Sequence, residues 1–303
     1  MPTRSESLEA RGRTLDLSAP FVMGILNATP DSFSDSGLHP DGLRRGRELI
    51  AQGADLIDIG GESGVTNRPP VEPAEEIDRV LPLIEPLAGE TLVSVDTYKP
   101  AVAEAAIDAG VSIVNDPSGL IDPAIADICA QTGAALIITH TRARPKEKLH
   151  RPHYDDVVED VKRFFAEKLA LVQAHGVREE QIMLCPGPDM GKDPVHTIAL
   201  LRRLEEIAAL GFPLLLALSR KDFIGALTNR RPRERLAGTL AAVAHGVAHG
   251  GRVLRVHDVA EVRDFLRVRA ALEGDLEIAD DLLLADELRW EEVPSAAAKQ
   301  GAG

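Results

Sequence analysis

Short runs rich in Val, Ile and Leu alternate along the chain with longer segments in which apolar residues return every three or four positions. That is the pattern of repeated strand and helix units. Eight such runs span 21–29, 54–61, 91–97, 112–116, 135–140, 182–187, 212–219 and 252–258, and their starts lie roughly 20 to 47 residues apart, as strand, loop and helix together require. Amphipathic helices are predicted over 75–87, 100–109, 154–175, 197–210 and 234–249. Strands this apolar, with little alternation, are buried on both faces. Eight units in 303 residues predict an α/β chain built as one (β/α)8 TIM barrel over 20–274. A short N-terminal extension, 1–19, precedes it, with RTLDLS from Arg13 expected as a strand plugging the barrel bottom. An acidic C-terminal appendage ending in an Ala, Gly and Ser-rich flexible tail, 275–303, follows.

Polar residues gather at the predicted strand ends: Asn27, Glu62, Asp96, Asn115, His140, Lys221, Arg255 and His257. Barrel sites are assembled there, and buried strand ends do not collect charges for packing reasons alone. Asp96 and Asn115 suit a flat polar heterocycle, while Lys221, Arg255 and His257 offer charge and donors to a phosphate-type anion. The combination points to a phosphorylated heterocyclic substrate. Individually each has a plainer explanation: Asp96 as a helix cap or partner of Lys221, His257 as a satisfied barrel histidine. The first loop, NATPDSFSDSG from Asn27, has the character of a lid, and the Asn27 oxygen could meet a divalent cation that also touches a pyrophosphate. The second loop, ESGVTNRPP from Glu62, carries Thr66 and Arg68, which could fold over the first and exclude water. For both loops the alternative is a solvated surface link.

Charge narrows the partners. Thirty-four Lys and Arg against 48 Asp and Glu leave a net charge of −14, which argues against a nucleic-acid surface but permits a small basic pocket. Two cysteines, Cys129 and Cys185, make no disulfide framework and suit a reducing compartment. No apolar signal region opens the sequence and no run of 18 apolar residues occurs, so a cytoplasmic protein without membrane spans is expected.

MGILNATPDSFSDSG from Met23, DLIDIGGES from Asp55, VSVDT from Val93, IVND from Ile113, ALSRKDFIG from Ala217, ERLAGTLAA from Glu234 and RVHD from Arg255 resemble the dihydropteroate synthase family, in order and at matching spacing. The resemblance covers about residues 20 to 272. It implies a transferase of folate biosynthesis that joins 6-hydroxymethyl-7,8-dihydropterin pyrophosphate to para-aminobenzoate with release of pyrophosphate, in a Mg2+-dependent reaction. By motif match it implies that Asp96 and Asn115 bond the pterin, that Lys221 binds the ring and helps place the aminobenzoate, and that Arg255 and His257 hold the pyrophosphate. Asn27 would sit near the metal, Phe33 would pack against the aminobenzoate, and Thr66 and Arg68 would serve from the second loop. A homodimer is also implied.

Four positions depart from the family's pattern. Cys185, in CPGPDMGK, stands where the family has an Asp that accepts hydrogen bonds from the pterin; Asp189 is a candidate substitute. Asp222 stands where a Ser lies near the aminobenzoate carboxylate, and it must turn away or pair with Arg220 to avoid repulsion. Met190 replaces a frequent Phe and softens the aminobenzoate wall. SGVTNRPP replaces STRPG in the second loop. Two alternatives stay open: a pterin-binding paralogue with weak or no synthase activity, which Cys185 and Asp222 favour, and a methyltransferase-type pterin domain.

Overall fold

The computed structural model describes residues 4–28, 38–64, 69–147 and 149–290, with backbone alone at 38–40. Eight parallel strands close into a barrel: β3 (Phe21–Asn27), β4 (Leu56–Gly60), β5 (Leu92–Asp96), β6 (Ile113–Asp116), β7 (Ala135–Thr139), β8 (Ile182–Cys185), β9 (Leu214–Leu216) and β10 (Gly251–Val256). Each pairs in parallel with its successor, and β10 returns to β3 with Val253 opposite Phe21. The TIM barrel read from the eight apolar runs is therefore the fold. Every residue of β4, β6, β7 and β8 is buried, which is why these strands show no alternation.

A two-stranded hairpin, β1 (Ser7–Ala10) and β2 (Arg13–Asp16), precedes the barrel. Its two-residue turn holds Arg11 and Gly12 at φ 50° and 77°, the left-handed pair that a tight hairpin needs. Leu8, Ala10, Leu15 and Leu17 join Met23, Leu56, Ile113, Ala135 and Val253 in one buried cluster, so the hairpin closes the barrel's N-terminal end. The expected plug over Arg13 is present, but it is half of a hairpin. SLEA, with two apolar residues in four, is too short to show as a strand in the sequence.

Helices α1 (Leu38–Ala51), α2 (Pro73–Leu87), α3 (Pro100–Asp108), α4 (Ala124–Thr132) and α5 (Val157–Ala174) link the first strands. The side chain of Asp156 caps α5 by accepting from Val158 N–H at 2.8 Å and Glu159 N–H at 3.2 Å. The helix expected over 197–210 is two, α6 (Pro194–Arg202) and α7 (Leu204–Ala208), broken at Arg203 with φ −119° and ψ 27°. Then come α8 (Asp222–Thr228), α9 (Leu236–Ala248) and α10 (Val259–Glu273). The chain divides into two compact units, Met1–Arg263 and Asp264–Gly303. The first contains the whole barrel sheet. In the second, Gly274 (φ 83°) follows the last residue of α10, Glu273, and Leu282, Leu283, Leu288 and Trp290 are exposed.

Candidate active site

A carboxylate buried inside an apolar barrel needs donors on neighbouring strands. Asp58, in β4, is fully buried and has three. Ser94 Oγ of β5 donates to its Oδ1 at 2.6 Å, while Asn115 Nδ2 of β6 and Arg255 Nε of β10 donate to its Oδ2 at 3.1 and 2.6 Å. The other arm of Arg255, Nη2, reaches Asp96 Oδ2 at 2.6 Å. Asp96, Asn115 and Arg255 thus converge, as the strand ends suggested, but around a residue that the sequence reading passed over. Burial pushes the Asp96 carboxyl up to about 7, against the pull of Arg255 and with the help of the Asp58 charge. Arg255, between two carboxylates, is raised further above its ordinary value despite its burial.

On the opposite side of the mouth, Cys185 ends β8, only 3% exposed. Burial raises its thiol above the ordinary range, against the Gly187 N–H, the Thr139 hydroxyl and the nearby Lys221 and Lys192. It is a neutral thiol at pH 7. The loop that follows is seated on the end of β7: Gly187 has φ 66°, and a Cβ there would collide with the His140 carbonyl oxygen. Buried Lys192 fastens the same loop, donating to Gly187 O at 3.0 Å, Met190 O at 3.2 Å and His140 Nδ1 at 2.7 Å. Burial lowers this ammonium to about 7 and, with Lys192 beside it, takes His140 to about 3. The neutral imidazole then donates from Nε2 to Asp160 at 3.2 Å. Asp189 accepts from Thr197 Oγ1 at 2.7 Å and from the Phe223 N–H at 3.1 Å, so both of its oxygens frame α6 and α8. Met190 is half-buried in this loop.

Lys221 stands at the start of α8, and among the described residues no side chain comes within hydrogen-bond or ion-pair reach of its ammonium. Burial depresses it, with Asp189 and Cys185 opposing. Asp222 turns outward. Its side chain is 85% exposed and its Oδ1 accepts from Arg235 Nη1 at 2.9 Å. Arg220, the other partner considered, binds Asp258, with Nε to Oδ2 at 3.1 Å. His257 lies 2.9 Å through Nδ1 from Ser219 Oγ, which also accepts the His257 backbone N–H at 3.2 Å. Burial first, then Arg220 and Arg255, lowers this histidine to about 4.

Asn27 ends β3 and is exposed. Phe33, Thr66 and Arg68 lie outside the described residues. The foot of the second loop is described: Glu62 Oε2 accepts from Lys99 Nζ at 2.6 Å and Val71 N–H at 2.8 Å, and its Oε1 from Tyr98 Oη at 3.0 Å. Against its burial, Lys99, the Val71 N–H and Lys146 hold this carboxyl below the usual range. Among the described residues no group of three or more His, Cys, Asp or Glu could hold a metal. None of their helices is long and apolar enough to cross a membrane.

A family model described as "Pterin binding enzyme" matches residues 23–257. The dihydropteroate synthase of Escherichia coli K12 is 41% identical over 266 residues, covering 86% of this chain and 94% of that one. That of Bacillus subtilis 168 is 38% identical over 276 residues, covering 89% and 92%. Among solved structures, Xanthomonas albilineans dihydropteroate synthase with 4-aminobenzoic acid superposes with a TM-score of 0.84 at 39% identity, covering 89% of this chain and 99% of that one. The same enzyme in complex with 7,8-dihydropteroate gives 0.80 at 40% identity, covering 88% and 99%.

Proposed function

The chain belongs to the dihydropteroate synthase family, and from that premise we propose how its residues divide the work of the reaction. The protein is a transferase of folate biosynthesis. It condenses 6-hydroxymethyl-7,8-dihydropterin pyrophosphate with para-aminobenzoate to give 7,8-dihydropteroate and pyrophosphate. The C–O bond to pyrophosphate breaks, the C–N bond to the amine forms, and the amine loses a proton. No protein nucleophile is required.

Asp96 and Asn115 meet the polar edge of the pterin, with Cys185 opposite as a neutral neighbour. Lys221, whose ammonium has no protein partner among the described residues, lies against ring and leaving group; this observation carries the reading, because a half-buried cation left without a counter-charge is available to an anionic ligand. Arg255 shares its charge with Asp58 and Asp96, so it orients more than it neutralises. His257 presents its imidazole to the departing pyrophosphate. Stabilising pyrophosphate and the cationic methylene as they separate lowers the barrier, and excluding water protects the cation. Phe33, Met190, Thr66, Arg68 and Asp222 are assigned to the aminobenzoate side.

Mg2+ fits the donors at the mouth. A single amide oxygen, Asn27, without an acidic cluster among the described residues, suits a hard cation that keeps its waters and binds mainly through substrate phosphates. When bound it would neutralise developing charge on the leaving group. Two buried, unpaired cysteines support a cytoplasmic location. We assign a homodimer on the family resemblance.

The test is a pyrophosphate-release assay with the pterin pyrophosphate, with and without Mg2+ and para-aminobenzoate, followed by mass detection of dihydropteroate. Release that requires aminobenzoate and yields dihydropteroate is expected. Pterin binding without release would point to the paralogue instead.

A further inference from the structure

Most residues converging on the pterin side can be named from the strand ends, but the group that organises them lies one layer deeper. Asp58 is buried on β4, and its register places it beside Ser94 on β5; Asp96 in turn lies beside Asn115 on β6. A carboxylate can only accept hydrogen bonds. The nitrogen of the Asn115 amide must therefore face Asp58 Oδ2, where it donates at 3.1 Å. Turning the amide over would set its oxygen against that carboxylate oxygen, with Arg255 Nε already on it at 2.6 Å. Ser94 fixes the second oxygen at 2.6 Å, so the carboxylate cannot rotate to accommodate a flipped amide. The Asn115 Oδ1 makes no hydrogen bond among the described residues.

We propose that Asp58 is a positioning residue for the pterin: it holds the Asn115 amide with its nitrogen inward, so that the carbonyl oxygen is the atom offered to the substrate. The inference rests on the assignment of Asn115 to the pterin. Asp58 touches no substrate in this arrangement. It sets which end of an amide the ligand meets, and through Arg255 it shares a counter-charge with Asp96. A pterin edge presenting N–H groups to Asn115 finds an acceptor there only while position 58 supplies one to the Asn115 nitrogen.

Asp58→Ala removes the preference, because no acceptor is then left facing the Asn115 nitrogen and the amide is free to turn over. The KM for the pterin pyrophosphate is expected to rise about 10 to 100-fold, the loss of a hydrogen bond to a polar ligand group, with the aminobenzoate KM unchanged. In an Asn115→Ala background the same substitution should cost at least about fivefold less, since there is no amide left to orient. Ser94→Ala, which leaves the charge in place and frees one carboxylate oxygen, serves where Asp58→Ala does not fold: a rise of roughly two to fivefold is expected, again diminished without Asn115. Equal factors in the two backgrounds would overturn the inference and leave Asp58 a packing residue. If Asn115→Ala by itself leaves the pterin KM unchanged, it is the assignment of Asn115 that fails.

Discussion

Replacing Cys185 by Asp tests the thiol at the mouth where the sequence resemblance leads one to expect a carboxylate. The thiol sits at the end of β8, 3% exposed, and burial keeps it protonated at pH 7. Around it are the Gly187 N–H, the Thr139 hydroxyl and the ammonium groups of Lys221 and Lys192, a set of donors and cations better suited to an anion than to a thiol. A carboxylate of similar size would take up these donors and restore the proton affinity that burial has removed from Lys221. It would also give the pterin's N–H groups a charged acceptor. A hydrogen bond to a charged group contributes about 1.5 to 3 kcal/mol, so the Cys185→Asp variant should bind the pterin pyrophosphate about 10 to 150-fold more tightly. Isothermal titration without aminobenzoate measures this directly. Cys185→Ser, similar in shape and uncharged, should stay within about threefold of the parent. An unchanged or weaker affinity for a folded Cys185→Asp protein would refute the reasoning, because it would mean that the pterin edge does not lie over β8.

Arg255→Ala leaves buried Asp58 and partly buried Asp96 without their shared cation; it should cost about 3 kcal/mol in chemical denaturation and lower turnover about 10 to 100-fold, and an unmoved denaturation midpoint would contradict the ion-pair geometry. Asp96, raised to about 7, accepts more strongly from the pterin once ionised, so affinity should climb as pH rises through 7 and lose that slope in Asp96→Asn. Its linkage to stability has the opposite sense: the folded state favours the protonated acid, so the contribution is full below the unfolded value near 4 and is lost as pH rises through 7, which melts across this range would show. His257, lowered to about 4, contributes stability that is full above about 6.5 and lost as pH falls through 4; its ring nitrogens should show no titration by NMR between pH 5 and 8.

The barrel was legible because parallel strands buried on both faces admit little besides Val, Ile and Leu, and the mouth was legible because polar residues cluster where those runs stop. What the sequence withholds is which charges pair. Asp58 sits inside LIDIG, where a strand reading treats it as interior, and its partners Asn115 and Arg255 are 57 and 197 residues away. The one signal was a lone carboxylate in an apolar run, which must find donors on adjacent strands. Asp222 reads as a repulsive charge beside a carboxylate until the fold brings Arg235 to its outer side. Lys192 reads as one more basic residue in a loop until it closes on His140 across 52 residues.

Pairing also changes the electrostatics assigned to the site. Counted along the sequence, Lys221, Arg255 and His257 make a mouth with up to three positive charges. In the fold Arg255 is matched by two carboxylates, and His257 is neutral above about 4, so the protein's own free cation among the described residues of the mouth is Lys221, itself weakened by burial. A pyrophosphate carries several negative charges, and the chain as a whole carries −14. One depressed lysine cannot balance that ligand. Balancing that ligand on the described residues calls for further positive charge, which we assign to a divalent cation carried with the substrate and met by the Asn27 oxygen. The same balance predicts that raising Mg2+ lowers the KM for the pterin pyrophosphate while leaving the affinity for the unphosphorylated pterin alcohol unchanged; equal dependence of both on Mg2+ would place the cation away from the leaving group.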